Sequence, residues 1–357
     1  MGVGRLTSAS EDRVFPLTYE RLDALLSRIP ALRIAVIGDF FLDKYLVTDP
    51  ALAEVSVETG LEARQVVEVR CSPGAAGTVT NNLAALGVGT IHAVGVIGDD
   101  GEGYELLRGL RERGVTTDKL LRARERFTPT YTKPMVRADS GEVELNRLDI
   151  KNRTPLPDDW SRRIIGALEE MVRPGPNRVN AIVVMDQVQE RDCGTVTDAV
   201  RERIGELAKD HPEVLFFADS RSRIGEYRGV AIKPNAAEAA RAMGGESDNL
   251  SSAEARELGL NLAKRTLGAV YLTVGEHGIL VCTSESVTHV PALPVAGPVD
   301  IVGAGDSTTA GIVCALCAGA SAVEAAALGN LCASVTIRKL GTTGTASPAE
   351  LRARLST

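Results

Sequence analysis

No stretch of the sequence reaches the roughly 18 consecutive apolar residues of a membrane-spanning helix. Its opening, MGVGRLTSASEDRVF, lacks the apolar h-region of a secretory signal. A cytoplasmic protein is expected. Positive charge is in deficit: 40 Lys and Arg face 47 Asp and Glu, for a net charge of −7. That balance argues against a broad nucleic-acid or membrane surface and leaves room only for a local basic pocket. The six cysteines, at 71, 193, 282, 314, 317 and 332, form no disulfide framework. Cys314 and Cys317 make a CxxC with no adjacent His, which reads as buried core rather than as a metal or redox site. No GxGxxG follows the first apolar strand and no Walker-A lysine is present, so neither a dinucleotide-dependent oxidoreductase nor a P-loop enzyme fits.

What the sequence does contain is organised around DIVGAGDSTTAG, Asp300 to Gly311. Gly303, Ala304 and Gly305 carry little or no side chain, so the backbone turns tightly there and brings bare N–H groups against a ligand. Ser307 to Gly319 reads as a helix. A turn of exposed amides feeding a helix N-terminus is an anion cradle, with phosphate the obvious guest. Asp306 at that place is either a helix cap or the carboxylate that accepts the proton of an attacking hydroxyl in phosphoryl transfer. The helix N-terminus is expected to keep it ionised at neutral pH.

The rest alternates strand and helix. Residues 1–16 read as a polar, flexible tail, Leu17 to Ile29 as a helix, and Arg33 to Ile37 as the first buried strand of a parallel sheet. Further strands are expected at Thr90 to Ile97, Ala181 to Met185, Val214 to Ala218, Val230 to Ile232 and Val270 to Val274, with a hairpin partner at Ile279 to Cys282. GDDGEG reads as a turn before an amphipathic helix, Tyr104 to Arg113. Ser251 with Glu254 and Ser321 with Glu324 have capping-box spacing. The plan is α/β and doubly wound. Two β-like segments interrupt it, one of them turning at Asp139, Ser140 and Gly141, and suggest a small β-lid that would exclude water from a site.

GAGD preceded by Asp300 resembles the second signature of the ribokinase-like (PfkB) carbohydrate kinases, and the similarity runs from about Leu32 to the C-terminus. The resemblance implies one kinase domain over 17–357, with lid strands at about 44–72 and 127–149. It makes Asp306 the catalytic base and the amides of Gly303, Ala304 and Gly305 the anion hole. Asp43, in GDFFLDKYL, would hold sugar hydroxyls; its alternative is a solvated surface acid, and Asp39 is either a ligand or a turn cap. PGAAGTVTNNLAALG, Pro73 to Gly87, resembles the first signature and adds Gly74 and Asn82 to the sugar site. KPNAAEA supplies Asn235 near the phosphates and Glu238 as organiser of Mg²⁺, which prefers oxygen ligands and keeps waters. TVGEHG brings Thr273, Gly275 and Gly278 to the nucleotide, and Asn330 with KLGTTGT resembles an adenine-side wall and a monovalent-cation loop, so ATP, Mg²⁺ and K⁺ are implied.

GDFFLDKY, PTYTKPMV and NRLDI are similar to segments of the bacterial heptose-7-phosphate kinases. Arg147, with Lys133 and Arg137, would then meet a sugar phosphate; each is equally readable as a solvated charge on an exposed strand. Four departures stand against the pattern: Ala75 and Thr78 in the first signature, Ile301 and Val302 in the second. MDQVQER replaces SDYxKG, and Asp219, Ser220, Arg221 replace DPK. Asp186 is kept as a substrate ligand while the lysines are lost, which leaves Arg221 or Arg223 to take over phosphate contact. The expectation is phosphorylation of heptose-7-phosphate to the 1,7-bisphosphate by a homodimer that lacks any fused nucleotidyltransferase half. The alternatives are a related kinase for another sugar or nucleoside, and a non-catalytic sugar- or nucleotide-binding regulator.

Overall fold

Strand Arg33–Gly38 (β1) divides its side chains between two apolar layers, Ile34 and Val36 entering one, Ala35 and Ile37 the other. A strand buried on both faces needs helices above and below it, the arrangement of a parallel sheet. The computed structural model describes residues 15–138, 141–245, 250–341 and 343–356, and such a sheet is its centre. Most of the expected tail, and the turn at 139–140, lie outside the described residues.

The further strands are Phe40–Thr48 (β2), Glu54–Val55 (β3), Glu62–Ala63 (β4), Val66–Ala75 (β5), Thr90–Gly98 (β6), Thr116–Ala123 (β7), Thr130–Ala138 (β8), Gly141–Glu144 (β9) and Leu148–Ile150 (β10). They are followed by Ala181–Asp186 (β11), Leu215–Ser220 (β12), Ala231–Ile232 (β13), Val270–Thr273 (β14), Ile279–Cys282 (β15) and Val287–Val290 (β16). Nine form the main sheet in the order β16-β15-β14-β13-β12-β11-β1-β6-β7. All its pairs are parallel except those made by β15, which runs antiparallel to both β14 and β16.

A second sheet, β10-β8-β2-β5 with β9 on β8, is reached through one residue: β1 ends at Gly38, β2 begins at Phe40, and Asp39 is the joint. It starts earlier and ends later than the 44–72 segment anticipated from sequence, because β2 and β5 stay paired in register from Phe40↔Ala75 onward. The helix expected from Leu17 to Ile29 is shorter, Tyr19–Leu26, and a separate 3-10 turn, Ile29–Ala31, holds Pro30. GDDGEG is more than a turn: Asp100 caps the helix Gly101–Glu112 by accepting from the Gly103 amide at 2.8 Å. Both anticipated capping boxes are present, at Ser251/Glu254 and Ser321/Glu324.

Two helices with glycine-bearing loops at their N-termini, Ala76–Ala85 and Ala304–Cys317, pack on one another on the same face of the main sheet. The second also packs along Ala322–Thr336 at close range, since a Cβ on Gly311 would lie 2.9 Å from Cys332 Sγ. Small residues there set the depth at which the N-terminus of Ala304–Cys317 meets the carboxyl ends of the strands, where open α/β sheets bind ligands.

Candidate active site

Gly303 takes the cap position of the helix Ala304–Cys317 with φ 80°, a left-handed conformation that glycine adopts without strain. Asp306 is therefore the third helical residue and does not cap the helix. The Ala304 amide donates to the Ile301 carbonyl at 3.1 Å, which removes it from the expected cradle. The amides of Gly303, Gly305 and Asp306 have no hydrogen-bond partner among the described residues, and helix-terminal N–H groups of this kind favour an anion. Asp300 braces the turn by accepting from Val302 N at 3.0 Å and, through its other oxygen, from Gly341 N at 3.1 Å. The segment Lys339 to Thr345 is thus joined to the glycine turn; its Thr342 lies outside the described residues.

The Asp306 carboxyl is pushed up to about 7, first by burial and then by the neighbouring Asp219 charge, with Lys233 and Arg221 pulling the other way. Full ionisation at neutral pH, expected from the helix terminus, is corrected: loss of water and a second carboxylate outweigh the terminus. Sequence reasoning also missed Lys233. Its ammonium is buried, pairs with Asp219 Oδ2 at 2.9 Å and stands 3.5 Å from where a Cβ on Gly305 would be, so a fixed positive charge borders the cradle. Burial lowers the affinity of Lys233 for its proton, while Asp219, Glu238 and Asp306 raise it, and the net shift is upward. Its place in KPNAAEA was a usable signal.

Asn235 and Glu238 form a reciprocal capping box: Asn235 N donates to Glu238 Oε2 at 2.9 Å and Glu238 N to Asn235 Oδ1 at 2.8 Å. The second Glu238 oxygen is not held by the box, and its carboxyl is raised by burial and by Asp219. No three His, Cys, Asp or Glu side chains gather as a metal cluster among the described residues. Mg²⁺ bound through one carboxylate, substrate oxygens and water needs no such cluster, and Glu238 beside Asp219 fits that mode.

Thr273 meets Asn235 in a parallel β-bridge, and exposed Gly275 follows at φ 60°. Gly278, expected at the nucleotide, has no room for a side chain, because any Cβ there would run into the Val290 carbonyl. Asn330 likewise turns its amide to the Val290 and Pro291 carbonyls, at 3.1 and 3.0 Å, and so fixes the chain leaving β16.

On the acceptor side Asp43 and Gly74 come together across β2 and β5. The half-buried Asp43 carboxyl is raised by burial against the pull of Lys133 and Arg147. Arg147 is engaged by Asp149 at 2.7 and 2.9 Å and stacks over the Tyr131 ring at 4.2 Å. Asn82 does not reach out: buried in its helix, it donates to the Thr78 carbonyl one turn back at 2.9 Å. Ala75, where the family signature has glycine, holds φ 51° and ψ −115°. The backbone keeps the glycine shape although the side chain has changed.

Asp186 is the clearest correction. Both its oxygens are taken up in a buried cluster with Ser220 (2.8 Å), Arg223 (2.7 Å) and Tyr227 (3.3 Å), and Arg201 lies 3.6 Å away, so the carboxylate faces no ligand. Arg223 belongs to that cluster and also donates to the Gln189 and Val188 carbonyls. Asp39 completes the hold on this segment by accepting from the amides of Gln187 (2.8 Å), Val188 (2.9 Å) and Thr195 (2.7 Å). The Asp39 carboxyl is pushed up to about 6 by burial and by Asp186.

Between that segment and the second sheet lies a cleft of about 150 Å³ whose wall includes Tyr131, Arg147, Lys151, Gln187, Arg126 and Arg221. Neither Asp306 nor Asp43 lines it. Arg126, which sequence reasoning also passed over, is buried at the back; its guanidinium donates only to the Thr154 side chain and to the carbonyls of Thr154, Pro155 and Cys193, with no acidic partner among the described residues.

Residues 33–161 and 226–350 match the profile of the pfkB family carbohydrate kinases, leaving 162–225 outside the match. The bifunctional protein HldE of Trichlorobacter lovleyi is 29% identical over 341 residues, covering 94% of this chain and 65% of that protein. HldE of Bradyrhizobium diazoefficiens is 30% identical over 340 residues, covering 93% and 65%. The chain thus spans just under two thirds of the length of these curated relatives. Among solved structures, phosphofructokinase-2 from Escherichia coli in complex with substrates and products superposes with a TM-score of 0.69 at 19% identity, covering 91% of this chain and 99% of that one. Arabidopsis thaliana ribokinase complexed with ribose and ATP gives 0.66 at 16%, again covering 91% and 99%. At these identities the superpositions establish the fold.

Proposed function

The chain belongs to the pfkB family of carbohydrate kinases, and from that premise we propose that it transfers the terminal phosphoryl group of ATP to the anomeric hydroxyl of heptose-7-phosphate. The product is the 1,7-bisphosphate. One observation carries the reading: free amides at Gly303, Gly305 and Asp306 stand with a half-buried carboxylate and the Lys233 ammonium around one point. Phosphoryl transfer needs little else from a protein than position and charge. The acceptor oxygen bonds to phosphorus, the bond to the bridging oxygen of ADP breaks, and Asp306 takes the hydroxyl proton. Lys233 and the free amides hold the phosphate oxygens. Mg²⁺, organised by Glu238, supplies charge neutralisation when bound.

A phosphorylated acceptor is supported by the cationic cleft, above all by Arg126, a buried guanidinium without a carboxylate. Asp43, kept in place by Gly74, would take sugar hydroxyls, and the second sheet would serve as the lid. K⁺ at the loop tied to Asp300, a cytoplasmic setting and a homodimer belong to the same reading. Exposed Val67, Val69, Val143 and Leu148 on the second sheet offer apolar surface to a second copy. No helix among the described residues is long and apolar enough to cross a membrane.

A kinase of the same family acting on a different sugar or nucleoside is favoured by one observation, that Asp186 and Arg223 are locked together inside the segment lying outside the family match. A binding-only regulator gains less support, because Ala75 preserves the backbone shape of the eroded signature. ADP release with Mg-ATP, across heptose-7-phosphate, other sugar phosphates, free sugars and nucleosides, separates these readings. Heptose-7-phosphate is expected to exceed its unphosphorylated counterpart in kcat/KM by about 100-fold, the scale set by buried charged hydrogen bonds. Preference for an unphosphorylated acceptor would reassign the cleft.

A further inference from the structure

One side chain in the wall of the cleft has been given no partner and no role in transfer. Arg221 follows the last residue of β12, and its backbone is fixed, its N–H donating to the Asp186 carbonyl at 3.0 Å. Its guanidinium is exposed and makes no hydrogen bond or ion pair among the described residues. Three other cations of the region are engaged by carboxylates: Arg223 by Asp186, Arg147 by Asp149, Lys233 by Asp219. Arg221 lines the cleft, and its charge is nevertheless felt on the other side, at Asp306 and Glu238, as well as at Tyr131.

We infer that Arg221 is a catalytic residue whose guanidinium crosses from the cleft wall to the cradle and grips the phosphoryl group in transit. The inference rests on the kinase reading above. During transfer, negative charge spreads over the equatorial oxygens of the moving group, and a planar fork of N–H donors can meet two of them at once. Lys233 cannot follow that motion because it is buried and tied to Asp219; Arg221 can, because only its backbone is anchored. The segment that carries it, 162–225, lies outside the family-profile match.

The test uses the full chain, Mg-ATP and whichever acceptor the parent turns over fastest. Arg221→Ala is expected to lower kcat by about 100-fold or more, within the range for a transition-state arginine, and to leave the KM of ATP and acceptor nearly unchanged. Guanidinium added at non-denaturing concentration should restore a substantial part of that rate, while equal ammonium should not. Arg221→Lys should stay impaired, because an ammonium offers no fork. A rise in acceptor KM with kcat intact would mean that Arg221 binds only the acceptor's own phosphate, and a loss accompanied by a lower Tm and no rescue would mean a structural role; either overturns the inference while the parent remains a kinase. A parent silent on every acceptor defeats the kinase reading itself, and this inference with it.

Discussion

The Asp43 carboxylate lies so near Gly74 that a Cβ on the glycine would sit 2.5 Å from Asp43 Oδ2. β2 and β5 bring the two together through the register Phe41↔Gly74 and Asp43↔Ser72. Gly74→Ala should therefore push the carboxylate off its place without touching the nucleotide side. The expected result is an acceptor KM raised about tenfold, the scale of one misplaced hydrogen-bonding group, with the KM of ATP unchanged. Steady-state kinetics in both substrates would show it.

Asp306 carries two opposite pH dependences. Its carboxyl is raised to about 7, and a base works only when ionised, so kcat/KM should climb as pH rises through about 7 and level off above it. Stability should run the other way. The unfolded chain releases this proton near about 4, so between about 4 and 7 the native state binds more protons and stability falls as pH rises. Asp306→Asn should remove that cost, giving a higher Tm than the parent at pH 8 and nearly the same Tm at pH 4. Thermal melts at the two pH values check the sign.

Ala75 holds φ 51°, where a side chain is strained. Ala75→Gly should stabilise the fold by about 1 kcal/mol, the relief of an unfavourable backbone state less the added chain entropy of glycine. Urea unfolding measures it.

The cluster of Asp186, Arg223, Arg201 and Tyr227 is assigned to holding the structure together. Arg223→Ala strands the Asp186 carboxylate in the interior and should cost about 3–5 kcal/mol. The cleft wall at Val188 and Gln189 loses its anchor at the same time. Denaturant midpoints test this, and the loss should greatly exceed that from Arg137→Ala, where the ion pair is exposed at 3.5 Å.

The parts of the site legible in the sequence are those built from neighbours in the chain. The glycine turn before Asp306, the Asn235–Glu238 box and the alternation along β1 are all local, and local spacing reveals them. What escaped depends on distant partners. Asp186 looked like a ligand because its consumers, Ser220, Arg223 and Tyr227, come 34, 37 and 41 residues later. Arg126 gave no signal because the carbonyls it serves include one 67 residues away. The raised carboxyl of Asp306 follows from burial and from Asp219 on β12, neither of which a helix-terminus argument contains. Asn82 and Asn330 occupy signature positions, yet their amides answer backbone carbonyls, one in the same helix and one at the end of β16.

The most direct measurement is ATP binding and phosphoryl transfer by Asp306→Asn beside the parent, with the acceptor the parent prefers. Binding of Mg-ATP should persist within a few fold while the rate of transfer drops by about 1,000-fold, as expected when a positioned base is lost. Transfer at close to the parent's rate would contradict the assignment of Asp306 and the chemistry built on it.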